Sequence, residues 1–320
     1  MTAWSDRVLF TLVAIWVWVR HPLLAAAYLR RGLRHGRLPA VAVPRSADDK
    51  FFWRKVFDHD PRFTLLSDKL GCKAWVAERT SALRVAPVLW QGRDPAQIPD
   101  EVLTGDVVFK ANHGCGTNQF IHAGDVCRHT LTALGRRWLR RAHGRRDHQW
   151  GYFNIERTLF IESMIVPASG PLQELKFYVF AGRIRRLVHI ADRFGGIRAS
   201  VWERSDVDYV RAERTAEVAG QVLDIPLPAV VGLASELASR LAAPFDHLRV
   251  DLLTDGQQLW LGELTVYNLG GYISGDGHDP DAPVSRHWDL RRSAFLQQPP
   301  QRGWRARYAK ALLRALPPIS

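Results

Sequence analysis

The residues best suited to chemistry are Arg249, Asp251 and Glu263, in the stretch FDHLRVDLLTDGQQLWLGELTVYNLGG at 245–271. Two alternating apolar runs, 248–253 and 258–267, flank Asp255-Gly256, which is a strong hairpin signal. Alternation puts His247, Arg249 and Asp251 on one face of the first strand and Leu248, Val250 and Leu252 on the other. On the second strand Leu261, Glu263 and Thr265 share a face. An odd-numbered loop brings Asp251 and Glu263 to the same side; an even one separates them. A three-residue turn with Gly256 in the left-handed conformation is therefore expected. Two converging carboxylates repel each other, and Mg²⁺ relieves this, usually through one or two carboxylates plus substrate phosphates. The alternative is a solvent-facing hairpin whose acids pair with Arg249.

A second group lies in GDVVFKANHGCGTNQFI at 105–121. A short strand ending at Lys110 runs into a loop, 113–118, and a return strand at 119–121. The pattern lacks the GxxxxGK[ST] of a P-loop and the GxGxxG of a dinucleotide fold. Instead Gly114 and Gly116, flanked by Thr117 and Asn118, would let backbone N–H groups approach phosphate oxygens, with Lys110 as a point charge. An ordinary hairpin loop is the other reading. Glu162 stands within an apolar strand, 159–165, where it can accept from an adenine amino group or a ribose hydroxyl, or cap local backbone. Strands at 175–181 and 183–190 form a hairpin around Gly182, carrying Lys176 and followed by Arg193.

These groups need elements to hold them. A linker is expected at 38–49 and a helix over 50–60. Ser67-Asp68 reads as the N-terminal cap of a helix from Lys69 to about Thr80. Further expectations are a strand at 85–90, a basic helix at 130–146 and an amphipathic helix at 229–242. Net charge is +12 and the pI is near 10.1, which points to anionic partners. Three cysteines without a CxxC pair argue against a disulfide framework or structural zinc and fit a reducing cytoplasm. Residues 8–19 are apolar throughout but too few for a spanning helix, which needs about 20. With Trp4, Trp16, Trp18 and the basic run 30–37, the segment reads as an interfacial helix on an anionic leaflet or as a helix packed on the protein's own surface. Residues 304–316 read as a second basic amphipathic helix.

The order of these features resembles the ATP-grasp superfamily, and within it the TupA-like branch associated with teichuronopeptide and capsule-type polymers. The resemblance rests on SDKLGCKAWV (67–76), VVFKANHGCGTN (107–118), GYFNIERTLFIES (151–163), ELKFYVFAGRI (174–184), and LRVDLL with LGELTVY (248–267), over roughly 48–290. It implies an α+β fold that holds ATP between two antiparallel sheets. The expected parts are a basic aromatic helical segment at 1–45, a preceding lobe at 46–105, a small lobe with the glycine loop at 106–170, a lobe with the metal site at 171–298 and a basic helix at 299–320. By position Lys110 would neutralise phosphates under the loop Gly114 to Asn118, with Lys69 and Lys176 as further cations. Glu162 would meet adenine and ribose. Arg249 would lie near the transferred phosphate, and Asp251 and Glu263 would hold Mg²⁺. The superfamily often has Glu-x-Asn at the metal site; here Thr265 takes the Asn place, and Asn268 is the nearby oxygen donor.

The chemistry so implied is attack of a carboxylate on the ATP γ-phosphate, then displacement of phosphate by an amine. Acceptor and donor would be glycan-linked. His113 is read as touching phosphate or as structural, Cys115 as a small loop residue, and the loop 270–285 as acceptor pocket or connection. Rival readings are a kinase acting on a sugar hydroxyl and a non-catalytic scaffold for polymer assembly at the membrane. Nucleic acid is disfavoured, because no RNP-like, zinc-finger or helix-turn-helix signature is present. The expected location is cytoplasmic, with peripheral attachment to the inner membrane face as the reading the termini add.

Overall fold

The computed structural model describes residues 4–318 except 124, 126, 169, 193–197, 206–207, 213–220, 223–224, 274 and 299–301. Arg193 thus lies outside the described residues. Helices α1 (Trp4–Arg20) and α2 (Pro22–Arg34) are followed by α3 (Ala47–Phe57), α4 (Pro61–Ser67) and α5 (Lys69–Ala77). Ser46 starts α3 through a capping box: its hydroxyl accepts from Asp49 N, while the Asp49 carboxylate accepts from Ser46 N. The linker expected to 49 therefore stops short of that. Asp60 caps α4, a helix the sequence reading missed, with Pro61 in its first turn. Asp68 caps α5, accepting from Leu70 N at 2.9 Å.

Next come β1 (Val88–Gly92), β2 (Val107–Ala111), β3 (Asn118–Ile121), α6 (Arg128–Arg140) and β4 (Leu159–Ser163). The four strands make an antiparallel sheet in the order β1-β4-β2-β3. Then β5 (Gln173–Phe180), β6 (Arg183–Asp192), β7 (Arg198–Arg204), β8 (Tyr209–Arg211), β9 (Gln221–Val222), α7 (Val231–Ala242), β10 (Leu248–Thr254) and β11 (Leu259–Thr265) follow. The larger sheet runs β11-β10-β5-β6-β7-β8, antiparallel throughout, with β9 added in parallel to β7. Ala181 and Gly182 both have positive φ in the β5–β6 turn, as a two-residue hairpin of this twist requires. Short helices α8 (Pro283–Arg286) and α9 (Ala294–Gln297) lead to α10 (Trp304–Ala315).

Two apolar cores result. The smaller joins β2, β4 and α6 through Phe109, Leu159, Ile161 and Trp138. The larger joins the big sheet to α1–α5, α7 and α10. Residues 46–105 are accordingly divided: α3, α4 and α5 pack in the large core, whereas β1 edges the small sheet. The terminal helices pack on the body and on each other. Trp16 meets Trp304 at 5.0 Å between ring centroids, and Arg314 pairs with Asp6 at 2.7 Å.

Beneath the ends of β10 and β11 sits Arg54, wholly buried. It donates to Asp246 Oδ1 (2.6 Å), His247 O (3.2 Å) and Val266 O (3.0 Å). Trp288 Nε1 donates to the other Asp246 oxygen at 2.7 Å. This network ties the start of β10 to the end of β11.

The β10–β11 loop corrects one expectation. Thr254 pairs with Leu259, so the loop has four residues, not three. Gly256 is left-handed as expected (φ 95°), and the Asp255 carboxylate accepts from Gln257 N and Gln258 N. An even loop alone would place Glu263 on the face away from Asp251. A bulge between Leu252 and Asp251 inserts one extra residue, Gly262, and restores Asp251 opposite Glu263. A Cβ at Gly262 would lie 2.8 Å from the Asp251 carbonyl oxygen. Gly262→Ala is thus expected to destabilise the protein by about 1–3 kcal/mol. It should also weaken any ligand bound jointly by the two acids, as read by chemical denaturation and calorimetric titration.

Candidate active site

On β10 and β11 the two acids differ in their surroundings. Arg249 grips Asp251 with two bonds of 2.7 Å, and Lys176 on β5 adds a third at 2.8 Å. Burial alone would raise the Asp251 carboxyl; Arg249 and then Lys176 overcome it and hold the group below the usual carboxylate range. Lys176 also pairs with Glu174 at 2.9 Å. Glu263 is half-buried, and among the described residues it has no hydrogen-bond or ion-pair partner. Asp251 is thus held by two cations, whereas Glu263 is left without one among the described residues.

The other two expected metal donors have different surroundings. Thr265 Oγ1 accepts from Arg249 at 3.2 Å, so the hydroxyl orients the guanidinium. Asn268 is fully buried, and its amide donates to His247 Nε2 at 3.0 Å. His247 in turn donates from Nδ1 to Val179 O. The Asn268 side-chain oxygen is buried and has no hydrogen-bond partner among the described residues. Asp251 and Glu263 are the two carboxylates among the expected donors, and they face each other across β10 and β11. No three His, Cys, Asp or Glu side chains converge among the described residues. Two hard oxygen donors fit a Mg²⁺ that arrives with phosphate and water oxygens, and do not fit a free ion held by protein alone.

The glycine loop is built on Asn112. Its side chain donates to Asp68 Oδ1 (3.0 Å) and Glu156 O (2.9 Å) and accepts from Thr158 N (2.8 Å). Lys69 N donates to Asn112 O, and Lys69 Nζ donates to Gly114 O. Gly114 (φ 96°) is packed so closely that a Cβ would meet the His143 ring at 2.8 Å. Gly116 (φ 68°) faces open space. Thr117 is buried, and its hydroxyl donates back to Ala111 O, so it closes the loop and does not line its outer side. Asn118 is exposed opposite Lys110 in the β2–β3 pairing. His113 is buried, with its nitrogens joined to Asn112 Oδ1 and Trp138 O, which makes it structural. Cys115 is exposed at the loop tip.

Lys69 feels charges from both sheets. Burial lowers its pKa; the Glu263 charge opposes that and the Lys110 charge adds to it. Lys69 Nζ is fixed at the glycine loop by the bond to Gly114 O.

Glu162 has a different setting from the one expected. Its oxygens are taken by Lys110 from β2 and by Lys73 from α5, the latter at 2.7 Å, instead of being open toward a base. A carboxylate this buried needs cations to remain charged. The two lysines outweigh burial and hold its pKa below the ordinary value. Lys73 was not anticipated. Its place four residues after Lys69, one turn along the same helix, was the available signal. Two lysines against one glutamate leave this cluster one positive charge. The depressed Glu162 pKa contributes stability that is present above the ordinary carboxylate range and lost as pH falls through the folded value. Lys73→Met raises that value, so acid unfolding of the variant is expected to begin at higher pH than wild type, as followed by circular dichroism.

A glycine loop, the lysines around Glu162 and the paired acids Asp251 and Glu263 are the charged groups of this candidate site. A family model described as TupA-like ATP-grasp matches residues 49–280, and the chain belongs to that family. The fold is accordingly the α+β ATP-grasp fold. No curated protein matches the chain. Among solved structures it is similar to the ATP-grasp ligase PsnB complexed with minimal precursor, at 12% identity and TM-score 0.38, covering 81% of this chain and 64% of that one. It is similar also to D-alanine–D-alanine ligase from Bacillus anthracis, at 14% identity and TM-score 0.40, covering 81% and 70%. A third is the macrocyclase MdnC bound with precursor peptide MdnA from Microcystis aeruginosa MRC, at 13% and 0.34, covering 65% and 55%. The chain spans less than two thirds of the PsnB length.

Proposed function

We propose that this protein is an ATP- and Mg²⁺-dependent ligase that activates a carboxylate as an acylphosphate and passes the acyl group to an amine. The observation that carries the reading is the Asp251–Glu263 pair, aligned by the Gly262 bulge, with Glu263 unpartnered among the described residues and Lys69 Nζ bonded to the glycine loop. An acceptor carboxylate oxygen attacks the γ-phosphorus, the bond to the β-phosphate oxygen breaks, and ADP leaves. The amine nitrogen then attacks the acyl carbon, phosphate leaves, and the nitrogen loses a proton. Mg²⁺ held by Asp251 and Glu263 would neutralise phosphate charge.

The chain's own residues hold and screen. Lys110 and Lys69 bind phosphate oxygens, the backbone of 114–116 covers them, and Arg249 turns from Asp251 toward the transferred group. Lys176 keeps Asp251 ionised. No protein nucleophile is needed, since phosphoryl transfer depends on alignment and charge neutralisation. The resemblance to the branch associated with teichuronopeptide and capsule-type polymers supports a glycan-linked acceptor or donor in cell-surface polymer synthesis.

The test is incubation with ATP, Mg²⁺, candidate uronic and amino acids, and hydroxylamine. The expected result is acid-dependent ADP release with a hydroxamate product. A stable phosphate ester on a hydroxyl, with no hydroxamate, would make the protein a kinase. Absence of ATP binding by calorimetry would remove both readings.

A further inference from the structure

We propose that the outer face of α1 docks this protein on an anionic lipid surface. Trp4, Val8, Leu12, Ile15 and Val19 recur at intervals of three and four residues, so they form one stripe along the helix. They are 40–81% exposed, and Leu23 at the start of α2 extends the stripe at 80%. The opposite face of α1 is already used: Val13 and Val17 are buried in the large core, and Asp6 is paired with Arg314. The stripe is therefore not the core-facing side of the helix, and among the described residues nothing covers it. A contiguous apolar surface of this kind marks an interaction site.

Charge selects the partner. Residues 1–38 carry six arginines and residues 299–320 five lysines and arginines, against Asp6 as the one acid, so ten of the twelve net positive charges lie in these two segments. α10 lies alongside α1, because Trp304 meets Trp16 and Arg314 meets Asp6. Exposed arginines flank the stripe at Arg7 and Arg20 on α1 and at Arg305 and Arg307 on α10. An apolar stripe flanked by cations matches a surface that is apolar below and anionic above. A second copy of the same face would set arginine against arginine. Nucleic acid would meet the cations but leave Leu12 and Ile15 in water. No single described helix is long and apolar enough to cross a membrane; α1 and α2 reach that length and apolarity only together, as a pair bent by 111°. The consequence for the proposed ligase is a site held near membrane-anchored substrates.

The test uses the full chain with vesicles of phosphatidylcholine alone and with about one third phosphatidylglycerol. Co-sedimentation should show at least about tenfold stronger partitioning onto the anionic vesicles, falling steeply with salt. Leu12→Glu with Ile15→Glu should lower it by about tenfold or more without moving the thermal midpoint. Leu12→Ser with Ile15→Ser serves if the first variant does not fold. Equal partitioning onto neutral and anionic vesicles overturns the proposal. So does undiminished binding by the folded variants, or self-association that the variants abolish in a protein that ignores vesicles.

Discussion

Asp251→Asn is expected to lower ATP turnover by about a thousandfold or more. The substitution keeps shape and removes the charge that Arg249 and Lys176 share, three charge-assisted contacts in all. It acts on both sides of the proposed reaction, removing a Mg²⁺ oxygen donor and leaving Arg249 without its anchor. Because Asp251 is buried and paired, the variant should also lose stability, roughly 3 kcal/mol from the uncompensated cations. Activity loss alone would therefore not prove a direct role. Glu263→Gln separates the two effects. Glu263 has no partner among the described residues, so its replacement should shift stability by no more than about 0.5 kcal/mol. Its ADP release and Mg²⁺ dependence should nevertheless fall as far as in the Asp251 variant. A Glu263→Gln protein with turnover near wild type would sink the assignment of these acids.

The second large effect falls outside the reacting groups. Arg54→Met is expected to destabilise the protein by about 3–5 kcal/mol, because it strands the buried Asp246 carboxylate. It also leaves the carbonyls of His247 and Val266 without this donor. That is a large part of the roughly 5–15 kcal/mol available to a folded domain. Asp58, 4.0 Å from the Arg54 guanidinium, sharpens the point. Burial, and then the Asp246 charge, push its carboxyl up to about 7, so a second acid loses its nearest cation when Arg54 goes. Urea titration measures the loss; a shift below about 1 kcal/mol would mean that the network relaxes around the missing group. Arg54→Lys should recover part of it, since the charge returns without the fork that spans Asp246 and two carbonyls.

How much of this could be read from residue order differs from element to element. Local signals were sufficient where the physics is local. Asp68 caps its helix through its own carboxylate, Asp255-Gly256 makes the turn, and Gly182 follows a residue that must also take positive φ. The family, too, was legible in the chain, because its motifs are short runs with specific glycines and charges. What failed was parity across strands. Alternation says which residues share a face within one strand, but their register against the next strand is set by hydrogen bonds between distant segments. A single inserted residue reverses it. Here a four-residue loop and the Gly262 bulge cancel, and Asp251 meets Glu263 for a reason the spacing did not contain. An isolated glycine inside a strand pattern was the one visible hint.

Partnership was the other unreadable quantity. Glu162 and Lys110 lie 52 positions apart, and Lys73 reaches the same carboxylate from a helix, so nothing in the linear order pairs them. Asn268 looked like a donor by proximity to Glu263; the packed chain buries it and ties its amide nitrogen to His247. The chain's composition set its charge and its class, and its motifs set the residue types at the site. Which charges meet, and which stay free for a ligand, follows from desolvation: a group taken out of water must be paired by whatever the packed chain brings near it.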